Sequence, residues 1–153
     1  ANVSGQTVVA DLGRICETSA AVAARPELVL LVVRADLPSV LGDRIPLETV
    51  LHNLIANAID AVKDQEGGRV VRVTAVRHDA NTVRVCVEDE GPGVAAEMAA
   101  TLFEPLATNK AQGLGLGLPI SRTIVEAHGG RLWATNNADT GATLHCELPA
   151  ARD

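Results

Sequence analysis

The 153 residues are 47% hydrophobic and 21% charged, which suits one soluble domain with a single apolar core. A net charge of −6 and only two aromatic rings, Phe103 and Trp133, exclude the positive patch and the stacking platform that nucleic-acid binding needs. The apolar run at 28–33 is too short to cross a bilayer, and no charged segment followed by an apolar one marks a leader.

Residues 9–24 carry apolar side chains at helical spacing and close on Arg25-Pro26, so they predict a helix. The β-branched stretch 28–34 predicts a strand. Asp43 can cap a long helix that tolerates Pro46 in its first turn and ends near Gly67-Gly68. Alternating residues at 70–76 and 83–87, around a turn at 78–81, predict an antiparallel hairpin with one buried face. From 88 to 118 the chain is rich in Gly, Pro, Ala and Thr, with one helical stretch at 96–102; an irregular segment of that length is usually functional. A helix at 119–128, with Pro119 at its start and Gly129-Gly130 at its end, precedes a hairpin of 131–135 and 143–148. The order implies an α+β fold: a two-layer α/β sandwich whose mixed, mostly antiparallel sheet is covered on one face by three helices. Residues 1–153 are expected to form one domain, with no repeat and no low-complexity tract.

Three constellations carry candidate chemistry. Asn53 and Asn57, four residues apart, share a helix face where neutral carbonyl oxygens suit a magnesium ion, although two polar residues at a helix edge need no ligand. In Asp89-Glu90-Gly91-Pro92-Gly93, after a strand, Asp89 can accept from an exocyclic amine such as that of adenine. Gly91 and Gly93 allow close backbone approach, and the same residues would also serve a plain turn. Gly113-Leu114-Gly115-Leu116-Gly117-Leu118 runs into a helix start, an anion site or a flexible lid, with Lys110 at hand for phosphates. It is neither a Rossmann fingerprint nor a P-loop, since no βαβ unit precedes it and no Gly-Lys-Ser/Thr follows. Taken in order, the three fit Mg-ATP. Cys16, Cys86 and Cys146 suggest neither disulfides nor zinc and read as small buried hydrophobes in a reducing compartment.

On these motifs the sequence resembles the GHKL, or Bergerat-fold, superfamily, and within it the catalytic domains of sensor histidine kinases of the PAS-sensor type. Residues 53–61 look like its N box, 89–93 like its first glycine box, Leu102-Phe103-Glu104-Pro105 like its F box and 113–117 like its second glycine box. Gly141-Ala142-Thr143 resembles its closing glycine and threonine element. The resemblance implies that Asn57 holds magnesium with Asn53 assisting, Asp89 binds the adenine amine, Lys110 touches the phosphates and Thr143 lies near Asp89. Asn57 and Lys110 are thereby the catalytic candidates, and Asp60, where many relatives carry a basic residue, is an ATP-site candidate. Asn53 stands where ATP-hydrolysing relatives carry a glutamate base; an amide cannot take a proton from water, so phosphate would be kept for a histidine.

The implied activity is a histidine kinase in a two-component pathway, passing the ATP γ-phosphate to a histidine on a dimeric helical hairpin, for relay to a response-regulator aspartate. Residues 1–24 hold no histidine and are too short for that hairpin, so the chain alone is not expected to autophosphorylate. The domain itself is expected to be monomeric and cytoplasmic, without membrane contact, any anchor lying outside this segment. A serine kinase of the same superfamily and a degenerate nucleotide- or partner-binding module are the alternatives. Of the histidines, His52 reads as a helix-surface residue, His128 as a helix C-cap before Gly129, where a partial positive charge is favourable, and His78 and His145 as lying in or beside strands.

Overall fold

The computed structural model describes residues 2–3, 6–7, 9–34, 37–62, 70–91, 114–137 and 141–151. Short strands β1 (Asn2–Val3) and β2 (Gln6–Thr7) pair with each other, and β3 (Val9–Ala10) precedes helix α1 (Leu12–Ala21). The helix starts three residues later than its apolar spacing predicts. Asp11 is the reason: its carboxylate accepts the Arg14 N–H at 3.1 Å and caps the first turn, while Val9 and Ala10 pair with Leu41 and Val40 of β5 (Val40–Leu41). Between them lies β4 (Val29–Val33), entered through a single turn of tighter helix at Pro26–Leu28.

Helix α2 (Arg44–Val62) is the spine of the helical layer. Its Leu47, Val50, Leu51, Leu54, Ile55, Ala58, Ile59 and Val62 recur every three or four residues and are all buried. Each large side chain so buried contributes about 1.5–3 kcal/mol. After it come β6 (Val71–Arg77) and β7 (Thr82–Asp89), joined by the expected turn, where the Asp79 carboxylate accepts from the Asn81 N–H at 2.8 Å. Helix α3 (Leu114–Ala127), β8 (Arg131–Asn136) and β9 (Ala142–Pro149) complete the described chain.

The main sheet has five strands in the order β4-β6-β7-β9-β8; β4 runs parallel to β6 and every other pair is antiparallel. Among the described residues the three helices α1, α2 and α3 contribute Leu12, Ile15, Leu54 and Val125 to one core with Val73, Val85, Leu144 and Leu148 of the sheet. The expected sandwich, a mostly antiparallel sheet under three helices, is the observed one.

Helix α3 differs from expectation in its start. It begins at Leu114, five residues before Pro119, and takes up glycines that read as loop. Glycine lowers helix propensity by only about 1 kcal/mol, and burial of Leu118 and Val125 outweighs such a cost. Pro119 merely lacks the N–H that would have bonded the Gly115 carbonyl. The stretch expected to be helical at 96–102 lies outside the described residues.

Candidate functional site

The site begins with the alternation of β7. Val83, Val85, Val87 and Asp89 form one row, and all four are buried against the helices. A carboxylate therefore ends an apolar row, 5% exposed. Burial pushes its pKa above the ordinary carboxylate range, while N–H bonds from Gly91 and Ala142 pull the other way. Asp89 Oδ1 accepts both of these, from Gly91 at 2.8 Å and from Ala142 at 3.4 Å.

Two glycines explain how the backbone closes around this group. A Cβ on Gly91 would lie 2.8 Å from the Ala61 carbonyl oxygen and 3.0 Å from the Ala61 Cβ, so the turn after β7 packs directly on the last turn of α2. Gly141, at φ +89°, presses on the Asp89 carbonyl, which a Cβ would meet at 2.0 Å. The first glycine turn, the C-terminal end of α2 and the start of β9 thus meet at one corner.

The glycine-rich end of α3 reaches the same corner because α2 and α3 run antiparallel. Asp43 donates its N–H to His128 Nε2 at 3.3 Å, and ten residues further along α2 Asn53 Nδ2 donates to Ser121 Oγ at 3.2 Å. That register directs the first turn of α3, with Gly115 and Gly117, toward the C-terminal half of α2, where Asn57 and Asp60 stand. Asn53, Asn57 and Asp60 are half-buried. Leu118, by contrast, sends its side chain into the core at 2% exposure. Gly93, Lys110, Gly113 and Leu102-Phe103-Glu104-Pro105 lie outside the described residues, and no side chain is described for Leu114, Gly115, Leu116 or Gly117.

Thr143 lies near Asp89 in the chain's fold, but on the other row. The register pairs it with Glu88, so its side chain shares the outer row with His145 and Glu147, and Ala142 stands beside the Asp89 carboxyl. The Thr143 hydroxyl instead donates to Asn137 Oδ1 at 2.6 Å, and Asn137 Nδ2 donates to the main-chain carbonyl of Asp89 at 3.2 Å.

Asn137 and Ser121 escaped the sequence reading. Ser121 is fully buried and polar on the α3 face toward α2, a departure from the apolar stripe that could have flagged it. Nothing local distinguishes Asn137 from an ordinary turn residue. His128 caps the C-terminal end of α3 as expected, with Nδ1 2.8 Å from the Ile124 carbonyl, and it also receives the Asp43 N–H at Nε2, joining the end of α3 to the start of α2. His52 is exposed on α2 as expected.

Residues 42–152 match the family described as histidine kinase-, DNA gyrase B-, and HSP90-like ATPase. The chain is 43% identical over 117 residues to the sensor protein FixL of Bradyrhizobium diazoefficiens, covering 76% of this chain and 23% of that protein. It is 40% identical over 123 residues to the C4-dicarboxylate transport sensor protein DctB of Rhizobium meliloti, covering 78% of this chain and 19% of the relative. The chain thus spans about a fifth of the length of these relatives.

Among solved structures, the catalytic domain of the histidine kinase ThkA superposes with a TM-score of 0.79 at 30% identity, covering 95% of this chain and 96% of that one. Full-length ShkA in complex with AMPPNP gives 0.80 at 28%, covering 100% and 33%. ThkA in complex with the response regulator protein TrrA gives 0.75 at 26%, covering 95% and 42%. No helix among the described residues is long and apolar enough to cross a membrane.

Proposed function

This chain belongs to the histidine kinase-, DNA gyrase B-, and HSP90-like ATPase family, and from that premise we propose that it is the ATP-binding catalytic domain, residues 1–153, of a two-component sensor histidine kinase. The observation that carries the reading is the Asp89 carboxyl, buried at the end of an apolar row and fixed through Oδ1 by two backbone N–H groups. With Oδ1 so engaged, Oδ2 is the acceptor that remains for the exocyclic amine of adenine. Similarity to a kinase solved with AMPPNP supports the same ligand.

The phosphates would lie toward the first turn of α3, whose N–H groups and helix dipole favour anions, with Lys110 adding a full positive charge. The donor set facing them, the amide oxygens of Asn57 and Asn53 together with Asp60, is hard and oxygen-based, as magnesium requires. When bound, magnesium neutralises charge on the phosphates. By the family resemblance Asn57 would be its main ligand with Asn53 assisting, and the bond from Asn53 to Ser121 runs through Nδ2 rather than the amide oxygen that this role needs. Asn53, standing where ATP-hydrolysing relatives carry a glutamate, offers an amide that cannot take a proton from water, so the γ-phosphate is kept for an imidazole.

That imidazole would come from a dimeric helical hairpin of the same kinase, and the phosphate would pass on to a response regulator. Similarity to ThkA, solved with the response regulator protein TrrA, supports this partner class. The domain is proposed to act as a monomer in the cytoplasm. Calorimetric titration with AMPPNP, with and without magnesium and against the guanine analogue, tests the reading. Magnesium-dependent, adenine-selective binding is expected, and equal binding of adenine and guanine nucleotides would overturn it.

A further inference from the structure

We propose that Asn137 is a positioning residue for nucleotide recognition: it holds the peptide of Asp89 in place, with Thr143 as its anchor, so that the carboxylate presents one fixed oxygen to the base. This rests on the reading of Asp89 as the group that meets the adenine amine. Nothing in the sequence pattern marks Asn137, which lies just beyond β8 and donates its own N–H to the Gly141 carbonyl at 2.9 Å.

The hydrogen-bond polarity of this cluster follows from elementary chemistry. The main-chain carbonyl of Asp89 has no proton, so the atom of the Asn137 amide that faces it at 3.2 Å is the nitrogen. The other amide atom is then the carbonyl oxygen, which can only accept. Thr143 must therefore give it the hydroxyl proton, and the 2.6 Å separation suits O–H···O and is short for N–H···O. Both bonds are shielded: Thr143 is 8% and Asp89 5% exposed.

Asp89 is accordingly held from three sides. Gly91 and Ala142 fix its Oδ1, Gly141 packs on its carbonyl, and Asn137 hydrogen-bonds that same carbonyl. The first two restraints are backbone and cannot be removed by changing a side chain. Asn137 is the side chain through which the outer row of the sheet, at Thr143, reaches the residue that ends the inner row. Asp89 lies at the last position of β7, beyond which the chain leaves the sheet, so a restraint there acts where the ladder itself ceases to hold the peptide.

The test uses the 153-residue chain and two magnesium-bound probes, AMPPNP and its counterpart lacking the 6-amino group. Wild type is expected to prefer AMPPNP by tenfold or more. Asn137→Ala should reduce AMPPNP affinity by about tenfold, one hydrogen bond's worth, and leave the deaminated probe unchanged, so the preference collapses. Thr143→Val, which keeps the amide and removes its anchor, should lower the preference about threefold, and Thr143→Ser should restore it. In combination with Asp89→Asn, Asn137→Ala should add no further loss.

A fall of equal size for both probes, or an unchanged preference with only a lower melting temperature, would mean a purely structural role and overturn the proposal. If Asn137→Ala does not fold, the two Thr143 variants decide between these outcomes. A wild type that binds both probes equally would instead remove the adenine reading of Asp89 itself, a distinct result.

Discussion

The two rows of β7 differ sharply in burial and chemistry. The inner row, Val83, Val85, Val87 and Asp89, faces the helices, and its partners on β9 are Leu148, Cys146, Leu144 and, beside Asp89, Ala142. Burial there raises the Cys146 thiol to about 12, and on α1 Cys16 to about 12, so both behave as inert hydrophobes. The outer row, Thr82, Arg84, Cys86 and Glu88, faces away from the helices. Its neighbours form a polar network: Arg84 pairs with Glu147 at 2.8 Å and lies 5.2 Å from the Trp133 ring, which stacks on His145 at 5.0 Å. Cys86 is only half-buried and lies 3.5 Å from His145 Nδ1, unlike the other two cysteines.

The lesson of the comparison is where a charge costs most. On the outer row the Arg84 charge is part-buried and met by Glu147, so its desolvation is largely offset by its partner. On the inner row a single carboxylate replaces a valine at the strand end, against the local pattern, and such a departure marks function more than folding.

The sharpest way to break the comparison is Asp89→Asn. The amide has one acceptor where the carboxylate has two. The orientation that keeps the Gly91 and Ala142 bonds turns the NH₂ group toward the base. Adenine-nucleotide binding should fall by about a thousandfold or more, while the circular dichroism spectrum is unchanged. The variant also exposes the linkage of Asp89. Its native pKa is raised, so the folded state holds the proton more tightly than the unfolded state. Wild-type stability relative to the variant should therefore fall as pH rises from the ordinary carboxylate value through the native one, and stay level above it. Nucleotide affinity should rise over the same window, since the amine needs an ionised acceptor. Parallel slopes for stability and affinity would contradict the assignment.

The packing side of the comparison is tested by Leu148→Ala, in the partner of the inner row. Leu148 is 1% exposed, and its loss should destabilise the domain by about 2–5 kcal/mol in urea unfolding. The smallest effect is expected for Glu147→Gln on the outer side. Breaking its pair with Arg84 should change stability by less than about 1 kcal/mol, and the change should shrink further in high salt. An outer-row effect as large as that of Leu148→Ala would erase the distinction between the rows.

Much of this was legible in the residues. The valines at 83, 85 and 87 alternate strictly and give one face of the strand, but the strand read as ending at Val87 with Asp89 in the turn after it; β7 runs on to Asp89, which pairs with Val71 and so joins the buried row. The periodicity of α2 likewise places Asn53 and Asn57 on one face. Misreadings arose where tertiary contacts outweighed local preference. Val9 and Ala10 read as helix and are strand because Leu41 and Val40 pair with them. Gly115 and Gly117 read as loop and are helix because the residues that follow are anchored against α2.

By itself, then, the sequence determined the layers, the alternation of the sheet and a carboxylate close to a strand end, because these depend on periods of two and 3.6 residues that are local to each segment. Only the tertiary structure decided which groups meet that carboxylate. The register of β9 against β7 puts Ala142 beside Asp89 and gives Thr143 the opposite row, and the closure of the segment after β8 brings Asn137 to the Asp89 carbonyl. Register and loop closure join residues about 50 positions apart, and no local pattern encodes so distant a pairing.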